Sequence, residues 1–176
     1  MLDSPVSAAL ALDASPAERA AAYADVRARI DALLEGETDW TAAMATVACE
    51  LHHAFAYYDW TGFYRHVRPR HLVVGPYQGG HGCLHIPFER GVCGAAARTG
   101  ETQLVDDVDA FPGHIACSST TRSEIVVPVH TPDGRLLAVL DVDSNAPAAF
   151  TDVDRAHLDA LCDDLGARFA HVETPG

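Results

Sequence analysis

Three cysteines stand in settings where a thiol can do chemistry. Cys83 and Cys93 bracket the segment Cys83-Leu-His-Ile-Pro-Phe-Glu-Arg-Gly91-Val-Cys93-Gly94, and Cys117 closes His114-Ile-Ala-Cys117 inside a loop-like stretch. If they meet in space, two chemistries are open. One is metal binding completed by His81, His85 or His114, but structural zinc sites space their cysteine pairs about two to four residues apart and no such pair is present, so no metal is expected. The other is redox chemistry, in which one thiolate attacks and a second cysteine resolves the oxidised product as a disulfide. The plain alternative is three unrelated buried thiols. Cys49 and Cys162 fall in helical patterns and are expected to be small core residues.

Acidic residues add a second element. Leu137-Ala-Val-Leu-Asp141-Val-Asp143-Ser144 places Asp141 and Asp143 two apart, on one face of a strand. Asp is disfavoured in strands, and the apolar run before it implies burial, where an unpaired carboxylate is costly. Glu124 opens the preceding apolar run, Ser123-Glu124-Ile-Val-Val-Pro. A hairpin turning at Thr131-Pro132-Asp133-Gly134 sets Glu124 opposite Asp143, which gathers three carboxylates at the hairpin's open end. Such a cluster suits a metal, a substrate ammonium or a shared proton; the alternative is a solvated strand end. In Asp59-Trp60-Thr61-Gly62-Phe63-Tyr64, either Trp60 and Tyr64 or Thr61 and Phe63 can line a pocket while the other pair packs in the core.

The formal net charge of −13 argues against nucleic acid and anionic membrane as partners, which need basic patches. Every basic residue is Arg, so a Schiff-base lysine and a P-loop lysine are excluded. No apolar run approaches the ~18 residues of a membrane span, and Met1-Leu2-Asp3 lacks the basic start of a secretory signal. A cytoplasmic location is expected. Five cysteines, an odd count, in a reducing compartment speak against a structural disulfide framework.

The elements that must position these residues are legible in outline. Residues 1–14 have no clear pattern. Ser15-Pro16-Ala17-Glu18 combines a capping box with Pro at the first helical position and opens a helix that closes near Gly36. A second helix spans about 39–55, with Met44, Val47, Leu51 and Phe55 on its apolar stripe. Residues 60–67, 71–77 and 84–88 read as strands, and 91–98 as a short helix ended by Gly100. Residues 106–121 form a long connection without periodicity, a length that is usually functional. Strands at 123–130 and 135–143 follow, and Thr151 caps a last helix to about residue 172, with Val153, His157, Leu161 and Leu165 on one face. The order implies an α+β fold, with helices packed on one face of an antiparallel sheet. The chain divides into an N-terminal extension and helix over 1–36 and a single domain over 37–176.

Taken together, Trp60-Thr-Gly62-Phe63-Tyr64, Gly75-Pro-Tyr77-Gln-Gly79, Cys83, Gly91-Val-Cys93-Gly94, Gly113-His-Ile-Ala-Cys117, Ser123-Glu124 with its apolar run, Leu140-Asp141-Val-Asp143-Ser144 and Phe150-Thr-Asp152 resemble one family, the free methionine-(R)-sulfoxide reductases built on a GAF domain. The resemblance covers about two thirds of the chain, from Trp60 to the last helix. It implies a GAF-like fold and reduction of free methionine-(R)-sulfoxide without a metal or other cofactor. By the same resemblance Cys117 is the nucleophile, left as a sulfenic acid, and Cys83 the principal resolving cysteine. Cys93 is similar to a third family cysteine that can also resolve. Glu124, Asp141 and Asp143 face the substrate, one as a proton donor and another holding its ammonium, while Trp60 walls its methyl group and Tyr64 lines the site. Thioredoxin as reductant and a homodimer are implied too.

The sequence departs from the family's pattern at Asp59, where Asn is common, at His85, where Arg is common, and at Thr121-Arg122, where a smaller polar pair is usual. Two other classes of function stay open on residues alone: a non-catalytic GAF module that binds a ligand, and a redox or metal sensor using the same cysteines.

Overall fold

Local signals start the helices where they are expected. In the computed structural model, which describes residues 8–115 and 117–175, Ser15 caps α1 (Pro16–Leu33), with the Ser15 hydroxyl and the Glu18 carboxylate bonding each other's backbone N–H groups. Asp39 caps α2 (Trp40–Ala54) by accepting from Ala42 N–H at 2.8 Å. The sheet then forms from β1 (Trp60–Arg68), β2 (His71–Gly79) and β3 (His85–Pro87). Helix α3 (Gly91–Thr99) ends on Gly100 in the left-handed region, φ 72°, where glycine is favoured. After β4 (Gln103–Val105) and a 3₁₀ turn at Val108–Ala110 come β5 (Ser123–His130), β6 (Leu136–Ser144) and α4 (Asp152–Arg168).

The six strands run in the order β3-β2-β1-β6-β5-β4, all neighbours antiparallel. The α+β expectation is met: α1, α2 and α4 pack together on one sheet face. Their stripes, including Val26, Ile30, Leu51, Leu158 and Leu165, meet Phe63, Ile125, Val127, Leu140 and Val142 of the strands. Each fully buried side chain of this size contributes roughly 1.5–3 kcal/mol. The short α3 lies on the opposite face, in a smaller core with Trp60, Tyr64, Ile86, Val126 and Val139.

Four local expectations change. The buried stripe of α4 is Leu158, Leu161, Cys162 and Leu165; Val153 and His157 are only partly buried, because the helix is rotated so that Asp154 faces inward. Cys49 is half-buried beside His53 rather than part of the core, while Cys162 is buried as expected. The long connection holds a 3₁₀ turn at its start, pinned by Val108 N–H donating to Arg122 O at 2.9 Å. Within residues 1–14, of which 1–7 lie outside the described residues, Leu10 is not patternless: it bridges α2's exit through Leu10 N–H to Ala54 O (2.8 Å) and Ala56 N–H to Leu10 O (2.9 Å).

Candidate active site

Sheet register builds the site. Opposed residues of adjacent strands share a face, and two rows cross the centre of the sheet on the α3 side. Trp60, Asp143 and Glu124 form one row, Trp60 opposite Asp143 and Asp143 opposite Glu124. Gly62, Asp141 and Val126 form the next. The hairpin closes as its turn chemistry requires, with Gly134 at φ 86° and Thr131 N–H donating to Arg135 O at 2.9 Å. The expected Glu124–Asp143 pairing is therefore the observed one.

Alternation on β1 resolves the aromatic ambiguity. Trp60 and Tyr64 face the pocket side and Phe63 packs among the helices. The Trp60 indole lies between Tyr64, centroids 5.6 Å apart, and Tyr77 at 5.2 Å, and donates from Nε1 to Gly80 O at 3.1 Å. Gly62 is needed here, since a Cβ would come within 2.7 Å of the Trp60 ring. Gly82 likewise gives the Cys83 loop its close approach, because a Cβ there would sit 2.9 Å from the Tyr64 hydroxyl.

Cys83 and Cys117 are joined as a disulfide, with Cα atoms 5.2 Å apart across a sequence separation of 34. Two contacts hold the loops that carry them. Gly91, at φ 69°, donates its N–H to Gly113 O at 3.0 Å, and Val74 N–H donates to Leu84 O at 3.1 Å. Cys93, at the start of α3, does not join the disulfide. Its Sγ donates to Asp141 Oδ2 at 3.2 Å and lies 3.9 Å from Glu124 Oε1.

The pocket is lined by seven of the eight residues that the sequence nominates: Trp60, Tyr64, Cys93, Cys117, Glu124, Asp141 and Asp143. Cys83, bonded to Cys117, is outside the lining. His81 and His114, weighed as zinc partners, also line it, whereas His85 is exposed on β3. The cysteines that those histidines would complement are bonded to each other, so the three-cysteine metal set is not assembled. A different trio, Cys93 Sγ with one oxygen each from Glu124 and Asp141, lies within 4.8 Å and could converge on a cation.

Electrostatics of the floor follow from burial. Glu124 and Asp141 are 6% and 5% exposed and Asp143 is partly exposed. Burial pushes the Asp141 carboxyl up to about 6. It also raises Glu124 well above the usual range, reinforced by Asp141 and Asp143, and raises Asp143, reinforced by Asp141 and Asp59. The Cys93 thiol is pushed up by burial and then by Asp141 and Glu124, so it stays protonated and serves as a donor. Asp141 Oδ1 is buried and finds no hydrogen-bond partner among the described residues. Like-charged acids in a largely buried floor share protons, and one unpaired acceptor leaves room for an incoming donor.

A fold of this topology with a disulfide at the mouth of an acidic pocket defines a redox-capable small-molecule domain. A family model described as GAF domain matches residues 36–169. The chain is 46% identical to the free methionine-R-sulfoxide reductase of Neisseria meningitidis solved in complex with its substrate, covering 93% of this chain and 96% of that one, with a TM-score of 0.82. It is 35% identical to a reductase of Staphylococcus aureus solved with substrate, covering 84% and 95% of the two chains, with a TM-score of 0.77. It is 39% identical over 143 residues to the free methionine-R-sulfoxide reductase of Escherichia coli K12, 81% of this chain and 86% of the relative. The chain belongs to the GAF-domain family of free methionine-R-sulfoxide reductases.

Some site features were not nominated from sequence. Tyr77 stacks on Trp60, the Gly80 carbonyl fixes the indole, and Ile115 packs against Gly91. The motif Gly75-Pro-Tyr77-Gln-Gly79 contains Tyr77, but its aromatic has no signal that distinguishes a stacking partner from a core residue.

Proposed function

We propose that this protein reduces free L-methionine-(R)-S-oxide to L-methionine with its own cysteines, the observation that carries the reading being the Cys83–Cys117 disulfide at the mouth of a pocket floored by Glu124, Asp141 and Asp143. The Cys117 thiolate attacks the sulfoxide sulfur while a protonated floor carboxyl gives its proton to the sulfoxide oxygen. Oxygen passes to Cys117, methionine leaves, and Cys117 is left as a sulfenic acid. The Cys83 thiol then attacks that sulfur, water departs, and the disulfide forms. One sulfoxide and two thiols give one thioether, one disulfide and one water, so atoms and electrons balance.

Raised carboxyl pKa values support the proton-donor role. Burial lifts Glu124 well above the usual carboxylate range, so it holds a proton to higher pH than an ordinary carboxylate does, while Asp141, pushed up to about 6, is protonated in a minor fraction near neutral pH. A second carboxylate holds the substrate ammonium by charge-assisted hydrogen bonds, which favours the free amino acid over a peptide-bound residue. Trp60, braced by Tyr64 and Tyr77, walls the methyl group. Cys93 holds Asp141 in place and is a secondary candidate for resolution. Residues 37–176 form the catalytic unit and 1–36 an extension to it.

A thioredoxin-type dithiol in the cytoplasm returns the disulfide to thiols. No helix among the described residues is long and apolar enough to cross a membrane. The active form is a homodimer; exposed Leu12 and Leu33 on the helical side offer it apolar surface, and light scattering should give twice the 18.8 kDa chain mass.

Methionine release from the free R epimer, with dithiothreitol or thioredoxin as reductant, tests the reading. Turnover of the R epimer with little from the S epimer is expected. No release above a Cys117→Ser control overturns it.

A further inference from the structure

We infer that Leu84 and the acid-free loops beside it form the docking surface for the protein dithiol that reduces this enzyme, and that the dithiol attacks Cys83. The inference rests on the proposed thiol cycle and names where its reductant lands.

Leu84 is 67% exposed, more than any other large apolar side chain among the described residues. It directly follows Cys83, and its carbonyl is held by Val74 N–H at 3.1 Å, so the backbone is anchored while the side chain projects. Tyr77, 37% exposed and stacked on Trp60, is the other exposed large apolar side chain on this β2–β3 edge past the β1–β2 turn. A single exposed leucine needs no explanation by itself. Here it adjoins a sulfur of the disulfide that a reductant must reach.

Charge selects the partner. In a chain of net charge −13, no Asp or Glu occurs from Trp60 to Phe88, nor from Ala110 to Ser123, and these two stretches hold Cys83 and Cys117. His81 and His85 flank Leu84 and are exposed. The acids of the site lie inside, under the disulfide. The chain segments around Cys83 are thus apolar and free of carboxylates in a strongly acidic protein, and fit a dithiol protein whose reactive rim is apolar and whose own acids would be repelled by the rest of this surface.

Geometry selects the sulfur. Cys117 lines the substrate pocket and Cys83 does not, so an approach at Cys83 leaves the pocket undisturbed. The partner's thiolate bonds to Cys83 Sγ, the Cys83–Cys117 bond breaks, and the electron pair leaves on Cys117 as the thiolate needed for the next attack. The partner's second thiol then attacks the mixed disulfide and frees the Cys83 thiolate, which takes up a proton. The partner's dithiol is oxidised as the enzyme's disulfide is reduced.

The test uses the oxidised full-length protein and a thioredoxin whose resolving cysteine is replaced by Ser, so that the mixed disulfide is trapped. Peptide mass mapping should find it on Cys83, and Leu84→Asp should slow its formation about tenfold or more, with Leu84→Ala intermediate. In steady state, kcat/KM for thioredoxin should fall by the same factor while the dithiothreitol-driven rate stays within about twofold. A mixed disulfide on Cys117, unchanged trapping by Leu84→Asp, or equal loss with both reductants would overturn the inference. Trapping needs no sulfoxide, so a protein that traps at Cys83 in a Leu84-dependent way yet releases no methionine would break the sulfoxide reading and leave the docking surface standing.

Discussion

The protein buries two polar clusters, one on each face of its sheet, and they are built on opposite rules. On the helical side Asp154, fully buried, accepts from Arg19 (2.8 Å), Tyr23 (2.8 Å), Tyr57 (2.9 Å) and the Thr151 hydroxyl (2.7 Å). Arg19 also donates to Ala149 O and Leu12 O. Charge is balanced and the acceptor is saturated, as a purely structural cluster must be. On the pocket side Glu124, Asp141 and Asp143 face one another with a thiol for company, no counter-charge among their hydrogen bonds, and Asp141 Oδ1 unpartnered. That arrangement costs stability, and under the proposed function a ligand that brings the missing donors offsets the cost. Completeness of hydrogen bonding, more than burial, separates scaffold from site.

The comparison breaks most visibly at the sulfurs. Cys117→Ser should abolish turnover, while Cys83→Ser should release about one methionine per enzyme and then stall with thioredoxin; stoichiometric release by the Cys117 variant would overturn the assignment. At the two acid clusters, the same type of substitution should have opposite consequences. Glu124→Gln, Asp141→Asn or Asp143→Asn should lower kcat/KM by ~10²-fold or more with the fold intact, the scale of a lost proton donor or charge partner. Arg19→Ala strands a buried carboxylate and should cost about 3–5 kcal/mol in denaturant unfolding, leaving kcat per folded molecule nearly unchanged.

The pH dependence sharpens the contrast. Asp141 ionises near its ordinary value in the unfolded chain and at about 6 in the fold. Between those values the unfolded state binds fewer protons, so stability falls as pH rises. Asp141→Asn should therefore stabilise the protein above pH 6, by up to about 3 kcal/mol, and flatten that limb. A wild-type midpoint that rises from pH 4 to 7 and falls in the variant would contradict it. The smallest expected effect is chemical: iodoacetamide should label half-buried Cys49 in the native, oxidised protein, and leave buried Cys93 and Cys162 unmodified.

These contrasts were unequally legible in the sequence. The pocket-side acids were readable because strand alternation and hairpin closure are local rules: Asp141 and Asp143 on one face and Glu124 opposite Asp143 follow from period two and a known turn. The Arg19–Asp154 pair was not, since it joins helices 135 residues apart and neither residue carries a local mark of its partner. The choice between Trp60 with Tyr64 and Thr61 with Phe63 also needed the sheet, because alternation names two faces without saying which one the helices cover. The pairing of Cys83 with Cys117 came only from family resemblance, as three cysteines in irregular segments allow every pairing.

The central claim is that the unsaturated acidic floor waits for the ammonium of a free amino acid. It is tested most directly by comparing kcat/KM for free methionine-(R)-sulfoxide with that for its N-acetyl derivative, which has no ammonium to offer. The wild-type protein should prefer the free substrate by ~10²-fold or more, the scale at which a site built around a polar group rejects an analogue that lacks it. At least one of Glu124→Gln, Asp141→Asn and Asp143→Asn should collapse that preference by losing the free substrate. Equal use of both substrates by the wild-type protein, or an undiminished preference in all three variants, would contradict the account.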